Sequence, residues 1–485
     1  MIATYDIGTT VIKGAFLSEN GDFLAYASRT LSMIETDAAG HYEADPQQWK
    51  QAFREITEHN LEQVGPGADV RAVIISGNGP TLVPLSHSGE FLSPVMSWMD
   101  RRGTAETAKI KEVSGRYLDP TFYLPKVLWL AKNRPDVYAE TEHFFSCPES
   151  ILFWLTGEAV TILPGTHFLQ YFWDDTLLES LGLDKTKFPE FSKPGKMIGK
   201  VSAAGAEASG LPQGLPMITA GADFVVSLLG TGAVYPGRAC DRAGTSEGIN
   251  LCTEIEIADP RLMWYGHVVE PWYNISGIIS TSGRAFDWIK DVTGAGLMRN
   301  DELDAEAAQA RPGADRLLFL PYLTGERAPL WDPNARGAFI GLGLNHTRKE
   351  MVRAVLESIG FAMRDVIEVM AEHGARIDDL RITGGPAKSS LWNQIKADIT
   401  GKNLLVPEST ESELLGDLAL ALYGLGDSAD LAETADSIVK ISKIYEPRME
   451  NRGLYDDMFG LYRDAYSGLK NIFSSLSRID AIIKD

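Results

Sequence analysis

Residues 2–17 read Ile2-Ala3-Thr4-Tyr5-Asp6-Ile7-Gly8-Thr9-Thr10-Val11-Ile12-Lys13-Gly14-Ala15-Phe16-Leu17, and this stretch decides the fold class. Apolar and polar positions alternate on both sides of Gly8-Thr9-Thr10, which predicts a strand, a tight turn and a second strand. Asn20-Gly21 then predicts a hairpin into a third strand at Phe23-Leu24-Ala25-Tyr26. A helix follows: Asp45 can cap it, Pro46 suits its first turn, and Trp49, Phe53, Ile56 and Leu61 recur at near-helical spacing. Residues 70–76, Val-Arg-Ala-Val-Ile-Ile-Ser, read as a buried strand that ends in Gly77-Asn78-Gly79-Pro80. Strands alternating with helices predict an α/β protein.

The same grammar recurs further along. Residues 215–223 read as an apolar strand that delivers Asp223 to a turn, followed by a small-residue helix through Ser227 and Gly230. Gly244-Thr245-Ser246-Glu247-Gly248 then leads into the strand Ile249-Asn250-Leu251-Cys252, echoing the first Gly-Thr turn. Two halves that each open on a strand and a Gly-Thr turn suggest an old duplication, with the division near 241–243. The expected domains are therefore 1–243 and 244–485. Thr347 and Glu350 form a capping box for a helix over Arg348–Glu372, and Gly374 sits where it should stop. Arg381-Ile382-Thr383-Gly384-Gly385 again runs a strand into glycines at a helix start, where backbone amides can meet a phosphate. Residues 454–483 read as a helix with Phe459, Tyr462, Tyr466 and Leu469 on one face.

Composition narrows the function classes. The 485 residues exceed one ordinary domain of roughly 150, and 44% hydrophobic with 23% charged residues is the balance of a folded, core-forming chain. The net charge of −21 argues against non-specific attraction to nucleic acid or an anionic membrane. Cys147, Cys240 and Cys252 show neither paired spacing nor a neighbouring His cluster, so neither a disulfide framework nor a zinc site is expected. No signal peptide is visible, and no apolar run reaches the roughly 20 residues of a membrane span. The expected location is the reducing cytoplasm.

Three Gly-rich turns and one acid carry the chemistry. Asp6-Ile7-Gly8-Thr9-Thr10, with Lys13, places a carboxylate at a strand end beside a glycine and two hydroxyls. Such a turn can wrap a terminal phosphate while Asp6 holds magnesium through water; alone, it is also what an ordinary hairpin looks like. Gly244-Thr245-Ser246 is a second candidate phosphate turn and Gly384-Gly385-Pro386-Ala387 a candidate nucleotide site. Asp223 can accept the proton of a hydroxyl attacking a γ-phosphate, or simply cap the helix that follows.

Taken together these stretches resemble the FGGY family of carbohydrate kinases, closest in pattern to its xylulokinase-like branch. The most specific match is Gly337-Ala338-Phe339-Ile340-Gly341-Leu342 followed by Glu350-Met351-Val352-Arg353-Ala354-Val355-Leu356-Glu357. Trp98-Met99-Asp100-Arg101-Arg102, Lys126-Val127-Leu128-Trp129, Gly221-Ala222-Asp223 and the three turns follow in family order. The resemblance implies two actin-like, ribonuclease-H-like α/β domains flanking a catalytic cleft, sugar on the first and ATP mainly on the second. It implies Asp223 as general base, Asp6 assisting Mg2+, ATP contacts from Gly8, Thr9, Thr10, Lys13, Gly244, Thr245, Ser246 and Gly283, and an adenosine site lined by Gly384, Gly385 and Ala387. Asn78, Gly79, Trp98, Asp100 and Phe224 fall near the sugar, Lys126 and Glu357 read as structural, and a homodimer is one expected assembly.

Departures from the branch bear on the substrate. Asn78-Gly79-Pro80-Thr81 stands where xylulokinases carry Gln-Met-His-Gly, Phe224 where they carry Asn, and Leu163-Pro164-Gly165-Thr166-His167-Phe168 replaces a polar stretch. A buried hydroxyl without its partner costs about 1–3 kcal/mol, so D-xylulose is one candidate among ketoses and polyols. Pro386 stands in place of a third glycine and lacks an amide donor. Two other readings compete: Gly244-Thr245-Ser246-Glu247-Gly248 matches the Gly-x-Ser-x-Gly hydrolase pattern, which requires a strand before and a helix after, and an actin-like scaffold could bind ATP and sugar as a sensor without turnover.

Overall fold

The computed structural model describes residues 1–34, 36 and 40–483, with side chains through Ile479. The chain forms two compact units. The first comprises Met1–Gly230, Gly266–Glu270 and Ser412–Val439; the second comprises Thr231–Tyr265, Pro271–Glu411 and Lys440–Asp485. The division thus falls at residue 230 rather than 243, and it is not a single cut. Arg238–Ala243 is a strand of the second unit, pairing antiparallel with Glu247–Thr253 and parallel with Asp379–Thr383. Ser412–Leu425 returns to the first unit because its Gly416 lies against the helix Asp223–Gly230: a Cβ added at Gly416 would fall 1.9 Å from the Val226 carbonyl oxygen.

In the first unit six strands lie in the order Met197–Lys200, Pro216–Ala222, Ala72–Gly77, Ile2–Ile7, Val11–Leu17, Phe23–Thr30. The expected opening hairpins form the antiparallel side, and Ile2–Ile7, Ala72–Gly77 and Pro216–Ala222 run parallel. Every residue of Ile2–Ile7 is buried, as expected of a parallel strand covered on both faces. The helix Pro46–Val64 starts where expected, with Asp45 Oδ1 accepting from Gln47 N at 2.9 Å, and its Phe53 stacks on Tyr5 with ring centres 4.0 Å apart.

The second unit repeats this plan. Tyr273–Ile279, Glu247–Thr253, Arg238–Ala243, Asp379–Thr383, Asn403–Pro407 and Ile441–Tyr445 lie side by side. Three antiparallel strands are again followed by two parallel ones and an antiparallel edge. The shared order is what a duplication leaves behind. Arg348–Glu372 carries its capping box, with Thr347 N donating to Glu350 Oε2 at 2.9 Å. The last helix, Arg452–Ile483, buries Tyr462 against Phe361 and Tyr322. Among the described residues no helix is long and apolar enough to cross a membrane.

Candidate active site

The register of the first sheet sets three polar residues in a row. Ile7 pairs with Gly77, and Gly77 with Ala222, so Asp6, Asn78 and Asp223 lie at the carboxyl ends of three adjacent parallel strands. Crevices at such strand ends are where open α/β sheets hold ligands. Asp223 is the first residue of the helix Asp223–Gly230, is partly exposed, and its Oδ1 accepts from Phe224 N at 2.6 Å. Asp6 sits opposite both Ser76 and Lys13 in the ladder. Beside it, a Cβ at Gly8 would fall 2.6 Å from Val11 O and 3.9 Å from Asp6 Oδ2, so the close approach of the Val11 carbonyl calls for glycine next to this carboxylate.

The Gly8-Thr9-Thr10 turn and the expected sugar residues meet at Trp98. Its Nε1 donates to Thr9 Oγ1 at 2.8 Å, and its backbone N donates to Thr81 Oγ1 at 3.1 Å. The ring is 39% exposed, which separates it from a simple core tryptophan. Asn78 and Asp100 are placed differently from expectation. Asn78 Nδ2 donates to Ile7 O at 2.8 Å and its Oδ1 accepts from Thr81 Oγ1, so its amide braces the turn. Asp100 is buried, accepting from Tyr42 N and from Arg102 Nη2, each at 2.8 Å. Arg102 in turn reaches Glu43 at 2.7 Å. A carboxylate so saturated anchors the Trp98 segment and presents nothing to a ligand. Lys126 has the same character: its buried ammonium donates to Pro80 O at 2.7 Å and Ser97 O at 2.8 Å, and burial pulls its pKa down to about 7.

The structure adds residues the sequence did not single out. The Tyr123 hydroxyl stands 3.6 Å from where a Gly79 Cβ would be, and burial raises its pKa well above the ordinary value. Cys147 Sγ lies 3.8 Å from Asn78 Nδ2; burial raises its pKa, with further contributions from the charges of Asp6 and Asp223. Asp417, on Ser412–Leu425, accepts from Ser76 Oγ at 2.9 Å behind the strand ends. Its pKa is raised well above the carboxylate range by burial, reinforced by Asp6. A lone acid inside the apolar run Leu414-Leu415-Gly416-Asp417-Leu418-Ala419 was the available signal. The two substituted stretches also touch each other, the rings of Phe168 and Phe224 lying 6.3 Å apart.

Glu149 caps the helix Cys147–Thr156, accepting from Ser146 N at 2.6 Å and Ile162 N at 2.5 Å, and burial raises its pKa to about 7. A carboxyl whose folded pKa exceeds its unfolded value stabilises fully below the unfolded pKa, and that contribution is lost as pH rises through the folded one. Between pH 4.5 and 8 the parent should therefore lose up to roughly 3 kcal/mol relative to Glu149→Gln. Urea unfolding of both across this range checks it; parallel curves would refute the assignment.

In the second unit the remaining candidates converge. Gly244–Ser246 forms the turn of a hairpin in which Ala243 pairs with Glu247. A strand on each side excludes the hydrolase elbow. The helix Gly283–Val292 starts against this turn, Ser282 N donating to Thr245 O at 3.0 Å and Gly283 N to Gly244 O at 2.9 Å. A Cβ on Gly283 would fall 2.6 Å from Gly244 O. Gly384, at φ +89°, approaches from the other side, where a Cβ would fall 1.9 Å from Ala243 O. Gly244, Thr245 and Gly385 remain exposed, while Ala387 is buried and held through its carbonyl by Asn393 Nδ2 at 2.7 Å. Turn, helix start and glycine loop thus make one surface patch.

Models of the FGGY family of carbohydrate kinases match residues 1–230 (N-terminal domain) and 242–425 (C-terminal domain). The chain belongs to the FGGY family of carbohydrate kinases. This FGGY chain is 27% identical to a xylulose kinase of Staphylococcus epidermidis over 98% of both chains. It is 28% identical to a gluconokinase of Bacillus subtilis over 94% of both. The crystal structure of a xylulose kinase from Rhodospirillum rubrum superposes with a TM-score of 0.86 at 25% identity, covering 98% of this chain and 99% of that one. The FGGY chain is accordingly a carbohydrate kinase with the family's two-domain α/β fold.

Proposed function

We propose that the chain transfers the γ-phosphate of ATP to a hydroxyl of a small ketose or polyol, with Asp223 as general base. The observation that carries this reading is the row of strand-end residues: Asp223, partly exposed, and Asp6 end two strands separated only by the strand that delivers Asn78. The first unit then holds the acceptor, and the Gly244–Ser246, Gly283 and Gly384–Ala387 patch holds ATP. Asp223 orients the acceptor hydroxyl and takes its proton as the phosphoryl group leaves ADP; positioning and charge stabilisation supply most of the rate in such transfers. Among the described residues no group of three or more His, Cys, Asp or Glu is arranged to hold a metal ion. One carboxylate beside a glycine fits magnesium that arrives on ATP phosphates and keeps its waters. Bound there through Asp6, it would neutralise phosphate charge.

Phe224 and Phe168 favour an acceptor with fewer hydroxyls to satisfy on that side. Xylulose kinases and gluconokinases are both among the relatives, so ketopentoses and aldonates belong in the test with ketohexoses and polyols. ADP release from Mg-ATP against that panel should single out one class. ATP bound without turnover on any acceptor would favour the non-catalytic sensor.

A further inference from the structure

Two acids flank the exposed Gly244–Ser246 turn, and both are completely buried: Asp241 on the incoming strand and Glu247 on the outgoing one. One cation reaches both. Lys396, equally buried on the helix Ser390–Thr400, places Nζ 2.8 Å from Asp241 Oδ2 and 2.7 Å from Glu247 Oε1. The other Glu247 oxygen accepts from Ser282 Oγ at 2.5 Å, and the backbone of Ser282 and Gly283 is bonded to the turn itself. The helix that carries Lys396 follows directly on the Gly385–Lys388 turn and holds it through Asn393 and Ala387.

We infer that Lys396 is a positioning residue for the nucleotide phosphates, fixing the Gly244–Ser246 turn and the helix start at Gly283 in one arrangement. This rests on the reading that the patch holds ATP. None of the four side chains is exposed to a ligand, so the effect passes through the backbone. Burying an ion cluster gains little stability over an apolar core of the same shape. Its advantage here is direction: an ammonium between two acids and a tethered serine fixes three separate chain segments. Backbone amides preset in this way meet phosphate without reorganising. Burial and the neighbouring Glu247 push the Asp241 pKa up, while the Lys396 ammonium pulls against them.

The test compares Mg-ADP with adenosine on the full chain, by calorimetry and by ligand-observed NMR, with circular dichroism to confirm folding. Lys396→Met should weaken Mg-ADP by about thirtyfold or more. Ser282→Ala, which removes one hydroxyl and leaves the charges paired, should weaken it by roughly three- to tenfold. Adenosine, lacking phosphates, should bind both variants as it binds the parent. Unchanged Mg-ADP affinity in Ser282→Ala overturns the inference even if Lys396→Met fails to fold. Equal losses for adenosine and Mg-ADP overturn it too, since they report general loosening. A parent that binds no Mg-ADP overturns both this inference and the ATP reading, which separates the two failures.

Discussion

Asp223→Asn should lower kcat for sugar-dependent ADP release by roughly 10²- to 10⁴-fold, the usual contribution of a positioned general base. The amide keeps the size of the carboxylate and can still accept from Phe224 N, the bond seen at 2.6 Å, so the helix start should hold. What it loses is the ability to take a proton. The loss should therefore fall on kcat, with KM for ATP and for the acceptor changed by no more than about twofold, the pattern of an interaction made only in the transition state. A steady-state assay with both substrates varied reads this directly. A kcat within about threefold of the parent would show that the hydroxyl proton leaves by another route, and Asp223 would revert to a helix cap.

Gly416→Val should strongly destabilise the first unit. The helices Asp223–Gly230 and Ser412–Leu425 touch backbone to backbone through their glycines: a Cβ on Gly416 would lie 1.9 Å from Val226 O, and one on Gly230 would lie 1.7 Å from Ser412 O. Neither obstacle is a side chain that can swing aside. Overpacking of this kind costs about 1–3 kcal/mol where side chains can adjust; here two backbones must part, so about 3 kcal/mol or more is expected. Because Asp223 begins one of these helices, the folded fraction should also lose kcat. Urea unfolding beside Gly468→Ala provides the contrast. Gly468 is exposed in Arg452–Ile483 with nothing within 4 Å of an added Cβ, and Ala there should stabilise by roughly 0.5–1 kcal/mol. Equal stabilities for parent and Gly416→Val would contradict the close crossing.

Legibility followed the range of the interactions. The opening hairpins, the Asp45 cap and the Thr347/Glu350 box could be read because their causes lie within a few residues. The same holds for Asp6 and Asp223, whose place at a strand end is set by the strand that delivers them. The domain division was misplaced because Arg238–Ala243 reads as polar. Asp241 is acceptable in that strand only because Lys396 covers it, a pairing no local pattern announces. The return of Ser412–Leu425 depends on two glycines distant in sequence. Asp100 looked available because Trp98 to Arg102 is a compact signature, yet Arg102 and Tyr42 N occupy its carboxylate. Tyr123, Cys147 and Asp417 enter through tertiary packing, and of these Asp417 alone left a trace, as an acid in an apolar helix.

The most direct test of the central claim is 31P NMR of the parent turning over Mg-ATP with the best acceptor of the panel. A sugar phosphomonoester resonance should grow in step with ADP, and it should be absent when Asp223→Asn replaces the parent on the same time scale. ADP accompanied by inorganic phosphate alone, or no turnover with nucleotide bound, would contradict it.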